Sequence, residues 1–91
     1  MEKHTFTATV EIFPQEGGWY YVPVPPEYSE IYAERANRGL IAISATIGKF
    51  TWNTSFLPKG DGTHFIPLPQ NVRKSESITL GDTIEVTFSA R

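Results

Sequence analysis

The sequence predicts a small, mainly β barrel of two tandem β-hairpin–helix–strand units, about residues 5–47 and 49–90, with two short helices. Three observations predict it. The chain repeats itself at an offset of 44 residues: Phe6-Thr7 recurs as Phe50-Thr51, Pro14 as Pro58, Gly18 as Gly62, Pro23 as Pro67 and Pro25 as Pro69. Between these identities the chemistry persists, with Ile12-Phe13 matching Phe56-Leu57, Tyr21-Val22 matching Phe65-Ile66, and Val24 matching Leu68. Apolar and polar residues alternate at the period of two that half-buried strands require. A repeat of this length is one supersecondary unit that cannot bury its apolar face alone. Two copies are too few for a solenoid, so a closed unit with a pseudo-two-fold axis follows.

The first strand sets Phe6, Ala8, Val10 and Ile12 against Thr5, Thr7, Thr9 and Glu11. Its counterpart places Phe50, Trp52, Thr54 and Phe56 on one face, with Thr51, Asn53 and Ser55 on the other. Each meets a proline, Pro14 or Pro58, which cannot donate to a ladder and so marks a strand end. Turns follow at Gln15-Glu16-Gly17-Gly18 and Lys59-Gly60-Asp61-Gly62, where glycine supplies the positive φ of short hairpins. Return strands run from about Trp19 to Val24 and from about Thr63 to Leu68, ended by prolines 23, 25, 67 and 69.

A helix is expected to start at Pro25-Pro26, where the missing amide does no harm. Tyr28, Ile31 and Tyr32 then form one apolar stripe, and Asn37 and Gly39 serve as stops. The second helix spans about Pro69 to Ser75, with Val72 as its apolar contact. Each unit closes with a strand: Ile41, Ile43, Ala45 and Ile47 face inward in the first, Ile84, Val86 and Phe88 in the second, after a Gly81-Asp82 turn. Neither unit alone could bury both its sheet face and its helix stripe.

At 91 residues the whole chain, 1–91, is expected to be a single domain with one core. Net charge is −2, far from the basic surplus of a dedicated nucleic-acid binder. The absence of cysteine removes disulfides, thiolate catalysis and cysteine-based zinc sites together. The first twenty residues hold Glu2, Lys3, His4, Glu11 and Glu16 and no apolar core, so no signal peptide is expected. No apolar run approaches the roughly 20 residues that span a bilayer. A cytoplasmic protein without membrane contact is the expectation.

Where the copies agree they share fold-making residues; where they differ, polar novelty collects in the second. Gln15 becomes Lys59, Gly17 becomes Asp61, Tyr20 becomes His64, Ala8 becomes Trp52 and Ser29 becomes Arg73. The bland alternative is drift on a solvated surface. Lys59-Gly60-Asp61-Gly62 is followed by a strand rather than a helix, so a hairpin turn outweighs a phosphate cradle. Asp61 and His64 offer a carboxylate–imidazole pair but no third metal ligand, since the other histidine is His4 near the N-terminus. Trp52 reads as core before ligand platform. Trp19, next to Tyr20 and Tyr21, reads as an interaction anchor. Arg73 and Lys74 can hold a carboxylate or phosphate, or serve solubility with a local pair to Glu76. Glu27, Glu30 and Glu34 read as a solvated acidic face.

Gly17-Gly18-Trp19, Ser55-Phe56-Leu57-Pro58, Gly60-Asp61-Gly62-Thr63-His64 with Leu68 following, Val72-Arg73-Lys74 and Gly81-Asp82 carry a family likeness. Through them nearly the whole chain resembles domain of unknown function 1905, a small bacterial and archaeal family found alone or ahead of a YdeI/OmpD-associated domain. The resemblance implies a single-chain double-split β-barrel and transfers no catalytic residue. More distantly, Ile66-Pro67-Leu68-Pro69, Val72-Arg73 and Gly81-Asp82 with Ile84-Glu85-Val86 resemble the swapped-hairpin half of AbrB/MazE-type regulators. Those build such a barrel from two identical chains. Here Arg73-Lys74 corresponds to Ser29-Glu30 at the 44-residue offset, so matched two-fold phosphate contacts are missing and nucleic acid is not the expected partner.

The expected function is therefore a non-enzymatic barrel that binds a small ligand or a protein partner, without cofactor or metal and as a monomer. The candidate site comprises Trp52, Lys59, Asp61, His64, Arg73 and Lys74. Two alternatives remain: a nucleic-acid-binding regulator, and an enzyme using His64 with Asp61, for which no motif is present.

Overall fold

Prolines at matched places in two return strands decide where this sheet can and cannot pair. The computed structural model describes residues 2–14 and 18–91, so most of the first expected hairpin turn, Gln15 to Gly17, lies outside the described residues. Its elements are β1 (His4–Thr9), β2 (Glu11–Ile12), β3 (Tyr20–Val24), α1 (Pro26–Ile31), β4 (Ile41–Ile47), β5 (Phe50–Pro58), β6 (His64–Pro67), α2 (Gln70–Ser75) and β7 (Thr83–Ala90). The fold is mainly β, and among the described residues seven strands, all antiparallel, form a nearly closed barrel. Their order is β1-β7-β4-β5-β6-β3-β2, with β2 continuing from β1 through the buried Val10. Exchanging the two halves leaves this order unchanged.

Register departs from the sequence repeat. Tyr21 lies opposite Glu11, while Phe65, its counterpart at the 44-residue offset, lies opposite Leu57. The first strands of the two halves are thus two residues out of step with the repeat. β5 runs unbroken through this region, whereas the β1–β2 chain is interrupted at Val10, whose N–H bonds Asp82 at 2.8 Å.

Alternation of bonded and non-bonded pairs places the prolines. The Leu68 N–H donates to the Tyr20 carbonyl at 2.8 Å, so in β3–β6 the even positions of β3 exchange hydrogen bonds. Pro23 and Pro67 then sit at non-bonded pairs and turn their imide nitrogens to the other edge. Pro23 lies within β3 rather than ending it, a correction to the sequence reading: its missing donor is not needed by β6. It does matter on the outer edge. Lys59 N–H to Thr63 carbonyl (3.0 Å) fixes Leu57–Phe65 as a bonded pair, and the next one along would join Ser55 to Pro67. Phe13 N–H to Trp19 carbonyl (3.1 Å) does the same for Glu11–Tyr21, whose next bonded pair would need Pro23. Proline has no N–H to give, and both ladders stop there.

The core fills the barrel with Phe56, Phe88, Ile41, Ile43, Ile66, Val22, Val72 and Val86, all essentially inaccessible. The inward set expected for the closing strands is confirmed in full for β4 and for Val86 and Phe88, with Ile84 only half-buried. Phe88 is the hub: Phe56 meets it edge-on at 4.9 Å, with Tyr28 at 5.1 Å and His4 at 5.2 Å. A separate aromatic trio lies on the other face of the sheet, where Phe13 stacks on Tyr21 at 4.1 Å and meets Phe65 at 5.0 Å. Burial pushes the Tyr21 phenol above its ordinary value, helped by its hydrogen bond to Glu11 at 2.8 Å.

α1 begins with Pro26 in its first turn as expected, but its stripe differs. Tyr28 and Tyr32 pack on the core, Ile31 is 59% exposed, and Ser29 is the buried residue. Tyr32 leaves helical geometry with its hydroxyl on His4 Nε2 at 2.7 Å, and a 3-10 turn over Ala33–Arg35 follows. Asn37 and Gly39 are not helix stops. They belong to a tight turn in which Asn37 and Leu40 exchange backbone bonds around Arg38 (φ 56°) and Gly39 (φ 82°). His4, expected near a loose terminus, is held in β1 opposite Phe88.

α2 ends in a Schellman motif. Ile78 N–H bonds the Arg73 carbonyl at 2.8 Å and Ser77 N–H bonds the Lys74 carbonyl at 3.4 Å. Ser77 therefore holds a left-handed φ of 53°, a conformation that costs a residue with Cβ about 1 kcal/mol. Its side chain is exposed and makes no hydrogen bond among the described residues. Ser77→Gly is expected to raise the unfolding free energy by about 1 kcal/mol, less the added freedom of the unfolded chain. Urea unfolding of both proteins checks this; a destabilised variant contradicts the capping geometry.

Candidate functional site

Two cross-half contacts, related by the 44-residue offset, have opposite characters. In one, His64 of β6 meets Ser29 of α1; in the other, Tyr20 of β3 meets Arg73 of α2. The positions correspond, yet the first closes and the second opens.

The closed side is a polar latch. Ser29 Oγ lies 2.8 Å from His64 Nδ1, and His64 Nε2 lies 3.3 Å from the Gly39 carbonyl oxygen. A carbonyl only accepts, so Nε2 carries the hydrogen and Nδ1 accepts from the serine hydroxyl. Ser29 is 7% exposed and satisfied by this bond. The latch ties α1, β6 and the 37–40 turn together.

The open side is a cleft of about 520 Å³, bordered by Trp19, Tyr20, Trp52, Leu57, Leu68 and Arg73, with Gly18, Asn53, Thr54, Pro67 and Pro69 completing the lining. Arg73 is its one charged lining residue among the described residues. The guanidinium stacks 4.0 Å above the Tyr20 ring, and its Nε donates to the Leu68 carbonyl at 2.9 Å. Both contacts fix the fork in place while its terminal nitrogens make no hydrogen bond among the described residues. Such a fork matches a carboxylate or phosphate. Trp19 is 56% exposed at the rim. Trp52 packs half-buried against the core, as expected in part, and also walls the cleft. Its Nε1–H is enclosed without an acceptor among the described residues, a cost of about 1–3 kcal/mol that a well-packed core position would not carry.

Of the six candidates, the structure brings Trp52 and Arg73 together at the cleft. Lys59 and Asp61 lie in the β5–β6 turn, which has the expected hairpin form with Gly60 and Gly62 at φ 97° and 93°. Lys59 Nζ sits 5.3 Å over the Tyr21 ring, on the aromatic trio rather than the cleft. Asp61 accepts from both the backbone N–H (3.0 Å) and the hydroxyl of Thr63. His64 turns to Ser29 and Gly39, so Asp61 and His64 do not form the carboxylate–imidazole pair. Lys74 is exposed on α2 and, with Arg73, makes no ion pair to Glu76 among the described residues. Ser29, the partner of Arg73 at the offset, is buried, so the two positions do not build a matched basic pair. Tyr20, Leu57 and Leu68 were not among the candidates; the exchange of Tyr20 for His64 was the signal pointing to the first.

The Thr63 hydroxyl, then its backbone N–H, hold the Asp61 carboxyl below the ordinary aspartate value. The folded value is depressed, so the stabilisation is complete above the unfolded-state value and is lost as pH falls through the folded one. In a carboxyl-detected NMR titration Asp61 is expected to be among the last side chains to protonate, and Thr63→Val to move its midpoint upward. An unmoved midpoint contradicts the assignment of that hydroxyl as the cause.

The family model described as "Domain of unknown function (DUF1905)" matches residues 6–88, and the chain belongs to that family. No curated protein matches the chain. No helix is long and apolar enough to cross a membrane.

Proposed function

We propose that this member of the DUF1905 family is a binding module whose partner places an aromatic or apolar group between Trp19 and Trp52 and an anionic group on Arg73. One observation carries the reading: a guanidinium pre-positioned by a carbonyl and a tyrosine ring, its outer nitrogens without a hydrogen bond among the described residues, at the wall of a mostly apolar cleft. Holding the fork before the partner arrives lowers the entropic cost of forming two parallel hydrogen bonds. The aromatic walls supply area at low conformational cost, and a half-exposed tryptophan at the rim is a typical anchor. Both imidazoles are bonded to hydroxyls, His64 to Ser29 and His4 to Tyr32, and neither lines the cleft, which supports binding over catalysis.

Indole-3-acetate and benzoate serve as probes because each joins a planar ring to a carboxylate. Both tryptophans wall the cleft, so occupancy is expected to change their fluorescence saturably. Arg73→Gln keeps a polar side chain but removes the charge and the guanidinium fork; it is expected to weaken binding roughly tenfold. Equal affinity in wild type and Arg73→Gln would remove Arg73 from the site. Failure of every anionic probe to saturate would count against the module itself.

A further inference from the structure

We propose that the partner is an extended peptide that adds as a strand to the open edge of β5 and places an acidic side chain on Arg73. This rests on the reading of the cleft as a binding site and names what fills it.

The argument begins with the backbone of β5. Arg91 N–H bonds the Ala42 carbonyl at 3.0 Å, which fixes the even positions of β4 as those bonded to β7. The odd positions of β4 therefore bond β5, and their partners there are Phe50, Trp52, Thr54 and Phe56. The amides and carbonyls of Thr51, Asn53 and Ser55 point the opposite way. On that side β6 reaches only Leu57 and Pro58, because the position opposite Ser55 is Pro67. Among the described residues Thr51, Asn53 and Ser55 have no ladder partner in β6, and no loop or side-chain group bonds their backbone there. Such a row of donors and acceptors is a template for another strand.

The same edge borders the cleft, since Trp52, Asn53 and Thr54 line it. A strand laid beside β5 at the usual spacing of about 4.8 Å would run between that edge and the wall made by Leu68, Pro69 and Arg73. Its side chains would alternate between the two faces. The cleft offers one face an apolar lining between Trp52 and Tyr20, and offers a single cation, Arg73, in a chain whose net charge is −2. An acidic residue flanked by apolar ones is the complement of that surface. A second copy of this chain is disfavoured as occupant, because pairing two β5 edges brings both Arg73 cations to one interface.

The matching region of the other half is filled from within. Tyr28 of α1 covers Phe6 of β1 at 5.9 Å and His4 at 5.1 Å, while Ser29 and His64 latch the helix down. In the second half, Val72 stands at the position of Tyr28 and is wholly buried. The cleft therefore lies on the β5 side.

The experiment selects short linear peptides from a display library on the immobilised full chain, then measures a selected peptide by calorimetry. N-methylation of alternate peptide amides is expected to weaken binding roughly tenfold each, and methylation of the intervening ones to leave it unchanged. The amides of Thr51, Asn53 and Ser55 are expected to gain exchange protection on binding, and Glu→Gln in the peptide to mirror the loss from Arg73→Gln. A peptide insensitive to N-methylation overturns strand addition and leaves the cleft reading intact. So does a selection that yields no peptide while indole-3-acetate binds. Protection of the three amides that rises with protein concentration alone assigns the edge to a second copy and overturns the proposal. Failure of both peptide and carboxylate probes removes the cleft reading as well.

Discussion

Two missing amide hydrogens shape this barrel more than any single contact. Pro23 and Pro67 lie at non-bonded positions of the β3–β6 pair, where losing a donor is harmless to that ladder. On the opposite edges the same loss is decisive, because each proline stands where the next bonded pair to a first strand would form. Central pairing is kept and lateral pairing is cut short. Everything distinctive about the site follows, since a fully zipped β5–β6 ladder would leave neither an open edge nor a cleft beside it.

The two gaps receive different treatments, and the difference lies in a few side chains. The first is closed by large aromatic residues on α1 and by a serine small enough to be buried against His64. The second receives Val72, which sinks into the core, and Arg73, which cannot be buried unpaired and so stays at the surface on Tyr20. Replacing Ala8 by Trp52 at the matching strand position raises a wall instead of filling the space. A tryptophan donor without an acceptor is unfavourable in a core, and its presence here marks the spot where packing has been set aside.

Much of this was legible in the residues. Strict alternation in Ile41-Ala42-Ile43-Ser44-Ala45-Thr46-Ile47 determines a strand with one buried face, and proline pairs at 25–26 and at 67 and 69 frame both helices. Other features depended on partners far away in sequence. Nothing local says that Ser29 rather than Ile31 faces inward; that is decided by the reach of His64, 35 residues later. Trp52 and Arg73 were legible as candidates because the copies differ there. Asp61 and His64, adjacent in the same list, diverge because one closes its own turn while the other points across the barrel. A repeat read by identity also hides register: matched prolines fall into place, yet the first strands are two residues out of step.

An exposed strand edge is normally disguised, and β5 shows how far the disguise goes. Thr51 and Asn53 present polar side chains to water on the outer face. These limit unspecific pairing without covering the amides themselves. Side-chain cover is used in the first half, where Tyr28 packs on Phe6 and Phe88. The edge is instead flanked by a fixed guanidinium and two tryptophans, groups that discriminate among strands rather than repel them all. Selective exposure of that kind is what separates a docking edge from an aggregation hazard, and here it depends on the pairing that Pro67 forbids.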